Sequence, residues 1–116
     1  MQRTFIGLIF ALALMPMARA DDSSARDSFT LSAEQWALPR SGSALIRLAP
    51  IRDTLVTWLA TPDAHIVIQD SGSDTANLRV GELSDWLVAL GVPADHIEKR
   101  VSADQAEDAL ILKVQR

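Results

Sequence analysis

Apolar positions first crowd together in this chain, then alternate, then recur at helical spacing. An apolar run from Phe5 to Met15 gives way to a polar stretch, Asp21 to Asp27. Phe29 and Leu31 then alternate with Ser28, Thr30 and Ser32. That period of two predicts a first strand, running on through Trp36 to Leu38. Pro39-Arg40-Ser41-Gly42 is a turn signal, and Ser41 or Ser43 can cap the helix after it. From Ala44 to Ala60 the pattern is helical, with Leu48, Ile51, Leu55, Trp58 and Leu59 on one face. Pro50 lacks an amide hydrogen and collides with the preceding turn, so the helix either starts near Ala49 or is kinked there.

Thr61-Pro62-Asp63-Ala64 turns the chain into a short apolar strand, His65 to Gln69. A polar loop, Asp70 to Thr75, leads into a second helix that runs to Leu90. Its apolar face is Leu83, Trp86, Leu87 and Leu90. Gly91 suits the left-handed residue that ends a helix, and Pro93 cannot extend it. Ile97 to Val101 reads as a strand and Ser102 to Glu107 as a polar turn. The last strand is Ala109 to Val114, with Leu110, Leu112 and Val114 on one side. The predicted order is β-α-β-α-β-β. Two helices packed on one face of a mixed sheet of about four strands make a two-layer α+β sandwich.

Residues 1–20 carry the marks of an export signal: Arg3, the short apolar run, the break at Pro16 and the small residues of Ala18-Arg19-Ala20. The run is too short to span a bilayer comfortably. Cleavage after Ala20 would release a periplasmic chain, with residues 21–27 a disordered leader and 28–116 a single domain. The full chain has 15 acids against 11 bases and a net charge of −4. Losing the signal removes Arg3 and Arg19 and no acid, so the exported chain is more acidic still. That argues against nucleic acid and anionic membrane surfaces as partners. The chain has no cysteine, so stability rests on core and sheet rather than on disulfides, and zinc sites of the cysteine type are excluded.

Chemistry is sparse. No phosphate-binding glycine loop, nucleophile elbow or paired-histidine metal motif occurs, so no enzyme and no cofactor is expected. His65 and His96 are expected at the surface, and Trp36, Trp58 and Trp86 in or at the edge of the core. The acids Asp104, Glu107 and Asp108 read as a solvated turn. One residue breaks a local rule. Arg79 lies four before Leu83, in line with the apolar stripe and near the helix N-terminus, where the dipole disfavours a cation. Asp70 and Asp74 stand in the preceding loop. Arg79 either closes that loop as a structural Arg–Asp pair or is held at the strand end to bind a carboxylate, which its planar fork suits.

Residues 41 to 101 resemble the OmpA-like peptidoglycan-associated domain of bacterial envelope proteins. The likeness lies in a helix, a strand of the type Ile-x-Ile (Ile66-Val67-Ile68), an aspartate-bearing loop and a helix opening with Arg79-Val80. It continues through Trp86-Leu87 and Leu90-Gly91-Val92 to Ala94-Asp95-His96-Ile97. The loop itself departs from the family, reading Gln69-Asp70-Ser71-Gly72-Ser73-Asp74 where Gly-His-Thr-Asp is usual. The resemblance implies a non-enzymatic domain that holds the diaminopimelate of cell-wall peptide, with Arg79 as its arginine and Asp70 or Asp74 as its aspartate. The alternative is a periplasmic adaptor or assembly factor that uses the same fold to bind an envelope protein. A hydrolase subunit ranks third.

Export predicts that the periplasmic product begins at Asp21. Intact-mass measurement checks this, and a full-length chain retained in the membrane is the contrary outcome.

Overall fold

The computed structural model describes residues 27–116. The expected signal, 1–20, and all of the expected leader except Asp27 lie outside these residues. Among them run β1 (Ser28–Leu31), α1 (Ala33–Trp36), α2 (Gly42–Arg47), α3 (Ala49–Ala60), β2 (His65–Asp70) and α4 (Asp74–Ala89). A 3-10 turn (Ala94–His96), β3 (Ile97–Val101) and β4 (Leu110–Gln115) complete the order. The strands form one open sheet in the order β1-β4-β2-β3. β2 and β3 are parallel, joined through α4, whereas β4 is antiparallel to both its neighbours. The architecture is the expected α+β one.

Three boundaries differ from the sequence pattern, each for a local reason. The first strand stops at Leu31, and the expected extension to Leu38 is replaced by the single turn α1. Ser32-Ala33-Glu34-Gln35 is a capping box: Ser32 Oγ accepts the Gln35 amide at 3.1 Å, and Gln35 Oε1 accepts the Ser32 amide at 3.0 Å. Two orphan amides satisfied reciprocally outweigh a weak alternation. The helical run from Ala44 is broken at Leu48, whose ψ of 124° is extended. The break puts Pro50 in the first turn of α3, where its missing N–H has no intrahelical role. Of the two expected caps it is Ser41 that serves, accepting the Ala44 amide at 3.1 Å. The third boundary is the loop before α4, which is only Ser71 to Ser73, because Ser73 Oγ caps the helix at the Ala76 amide, 3.1 Å away.

The helices pack on the sheet face formed by Leu31, Ile66, Ile68, Leu110, Leu112 and Val114, all buried. On α3 the expected face is rotated. Ile51 and Thr54 are fully buried while Leu59 is 76% exposed. Thr54 is tolerated in the core because its hydroxyl donates to the Pro50 carbonyl at 2.6 Å. On α4 the buried stripe is Ala76, Val80, Leu83 and Leu87, with Trp86 and Leu90 on its flank. The helix ends as the sequence suggests. Gly91 has φ 111°, its amide meets the Val88 carbonyl, and the Val92 amide reaches back to Leu87. Val92 is buried against the core beside Leu87, the apolar contact that accompanies this closure.

Leu87 has no exposed surface and lies between α4 and the sheet. Leu87→Ala is therefore expected to cost about 2–5 kcal/mol in denaturant melts.

Candidate functional site

The parallel strands β2 and β3 have their C-terminal ends beside the start of α4, and Asp70 is the last residue of β2. Its side chain is almost fully buried at 2% exposure. Oδ2 accepts the Gly72 amide at 2.9 Å, and its carbonyl accepts the Ser102 amide at 2.8 Å. Asp70 therefore organises the turn out of β2 and ties that turn to the residue after β3. Gly72 is required there. Its φ of +88° lies in the left-handed region, and an added Cβ would stand 2.9 Å from Val101 Cγ1.

Asp74 is not in the loop, as the sequence pattern places it. It is the first residue of α4 and exposed, where its carboxylate meets the positive end of the helix dipole. Arg79, half-buried, makes no ion pair with either acid. Its Nη1 donates to the carbonyl of Asp108 at 3.2 Å, across to the β3–β4 connection. The ion pairs among the described residues are Arg40–Glu82, Arg52–Asp53 and Arg100–Glu98. The structural pair of Arg79 with Asp70 or Asp74 is thus replaced by a bond to a main-chain oxygen.

The same connection is held from the sheet side by Gln105. Its Nε2 donates to the carbonyls of Gln69 at 2.8 Å and Ala109 at 2.7 Å, while its Oε1 accepts from Gln69 Nε2 at 3.0 Å. Arg79 and Gln105 together fix the segment 102–109 over the strand ends. The acids Asp104, Glu107 and Asp108 stay exposed, as expected of a solvated turn.

At the opposite end of β2 the structure brings together residues that the sequence pattern keeps apart. His65 opens β2 and His96 immediately precedes β3, and the register Ile66↔Ile97 sets the two side by side. Their ring centroids are 5.3 Å apart with planes tilted by 54°. Trp58 of α3 meets His96 edge-on at 5.9 Å and donates its indole N–H to the Ala64 carbonyl at 2.9 Å. Both histidines are partly exposed, and Nδ1 of His96 is buried with no hydrogen-bond partner. Beside them lies a shallow depression of about 190 Å³ whose walls include Trp58, Leu59, Pro62, Asp63 and His96. Asp63 turns the chain there with φ 61°, a conformation aspartate tolerates better than most residues. A signal for this pairing was present in the sequence: a His-Ile dipeptide at the start of each of two strands joined by one helix. Among the described residues no group of three or more histidines and acids converges on a point.

The remaining polar cluster is structural. Arg40 lies over the Trp36 ring at 4.6 Å, donates to the Trp36 carbonyl and pairs with Glu82, which also accepts from Trp86 Nε1 at 3.3 Å. It pins the loop before α2 to the outer side of α4. No protein-family model, no curated protein and no solved structure matches this chain.

The turn at Gly72 makes a direct expectation. Gly72→Ala places a Cβ in the left-handed region and against Val101, and is expected to cost about 1–2 kcal/mol. Part of that loss should return in a Val101→Ala background, as read by thermal or urea melts.

Proposed function

We propose that this chain is a non-enzymatic domain of the cell envelope that works by binding a protein partner. The observation that carries this reading is how the polar groups at the strand ends are engaged. Asp70 is buried and turned to a backbone amide, and Arg79 is held by a backbone carbonyl. Carboxylate and guanidinium groups spent on the main chain serve to shape a loop. A clamp for a small zwitterion needs both heads turned outward. Apolar surface is available instead on α3, where Val56 and Leu59 are 61% and 76% exposed. They stand three residues apart, so they are neighbours on one helix face, and Leu59 continues into the depression beside Trp58 and Pro62.

Binding of cell-wall peptide is the second reading, favoured by one feature. Only one guanidinium nitrogen of Arg79 is engaged, at a partly exposed site above the end of β2. Its remaining N–H groups are enough for a carboxylate. On this reading Asp74, exposed at the start of α4, is better placed than buried Asp70 to receive an ammonium group.

The two readings separate in a paired experiment. The adaptor reading expects purified sacculi to retain neither the wild-type protein nor Arg79→Ala. It expects crosslinking in intact envelopes to give an adduct that Leu59→Glu removes and Arg79→Ala preserves. Melts of Arg79→Ala are expected to fall by about 0.5–1.5 kcal/mol, the worth of one hydrogen bond. Retention of the wild type on sacculi, lost in a folded Arg79→Ala, overturns the adaptor in favour of the wall peptide.

A further inference from the structure

We propose that His65 and His96 form a two-imidazole site for a divalent transition-metal ion of the zinc, copper or nickel class. The site lies at the N-terminal ends of β2 and β3, at the far end of the strands from Asp70; it borders the depression that Leu59 also lines, but the inference does not rest on the partner-binding reading. These are the only two histidines of the chain. They come from positions far apart in sequence and are held side by side by the parallel register Ile66↔Ile97. Neutral imidazole is a ligand for this class of metal and a poor one for calcium or magnesium.

The geometry has the right scale. With metal–nitrogen bonds of about 2.0–2.1 Å and a tetrahedral angle, the centres of two bound imidazoles lie roughly 5 Å apart. The observed centroids are 5.3 Å apart, and the rings are tilted rather than stacked. The second observation is the orphaned Nδ1 of His96. It is closed off from water and meets no donor or acceptor. Buried polar atoms normally have partners, and one without a partner asks for a water or an ion. Nδ1 is one of the two ring nitrogens through which an imidazole binds a metal. Trp58 packs edge-on against the His96 ring and limits its rotation, so part of the ordering cost of binding is met by the fold. Asp63 lies in the wall of the depression that His96 also lines.

The test is calorimetric titration of the intact, untagged protein with zinc chloride and with nickel chloride near neutral pH, in a buffer that does not chelate metals. The expected result is one ion per chain, accompanied by shifts of both imidazole resonances in proton–carbon NMR spectra. His65→Ala is the decisive variant because His65 is the first residue of β2 and only partly buried. It should weaken binding at least about tenfold, as losing a ligand exceeds losing an outer partner. His96→Gln should do the same, with melts confirming that it folds. Calcium chloride should give no heat from this site. Absence of zinc and nickel binding overturns the proposal. So does binding that persists unchanged in folded His65→Ala, which would assign the metal to surface carboxylates and leave the pair as aromatic packing.

Discussion

The register of β2 against β3 is the constraint on which the rest of this fold depends. Ile66 faces Ile97 and Asp70 faces Val101 across five parallel pairs. Side chains on a strand alternate, so a slip of one residue would send Ile66 and Ile68 to the wrong face and uncover the core. The same register decides what stands at the two ends of the strands. At one end it puts Asp70 and Gly72 against Val101, and at the other it puts His65 beside His96. The core therefore fixes both polar sites without any contact between them.

The packing explains why the polar groups at the C-terminal end look inward to the backbone. The connection 102–109 contains no regular hydrogen-bonded element and crosses close to buried strand ends. Its carbonyls at Ala109 and Asp108 need partners, and the side chains of Gln105 and Arg79 donate to them. Arg79 stands unfavourably near the positive end of a helix, but a side chain that long carries its charge to the next segment. What looks from the sequence like a misplaced charge is a tether.

Much of the architecture was legible because it rests on periodicity. The alternation Leu110, Leu112, Val114 and the helical spacing of Leu83 and Leu87 each describe a face, and each face is buried. The C-terminal stop at Gly91 was legible for the same reason: only a few residues fit a left-handed position. Other features were hidden by competition between local rules. A capping box at Ser32 overrode the alternation of β1, and on α3 Thr54 is buried with its hydroxyl satisfied within its own helix while Leu59 is exposed. The site was less legible still. Sequence distance placed Arg79 near Asp70 and Asp74, but the direction of a long side chain depends on which segment lies opposite, here Asp108. The histidine pair left a local mark, His-Ile at the start of each strand, but only the register of β2 against β3 makes the two neighbours.

The position of β4 has a consequence for how the sheet is assembled. It is the last strand along the chain, yet it lies between β1 and β2. Among the described residues β1 has no other neighbour, so this pairing waits through the synthesis of everything between Ala33 and Ala109. Helices and the β2–α4–β3 unit can form as they emerge, because their contacts are local. Closing the sheet is a late, long-range event, with the loop-closure entropy that such contacts carry. A chain halted before Leu110 would hold two unfinished sheet edges, and such edges are what transport factors and chaperones recognise and what aggregates grow from.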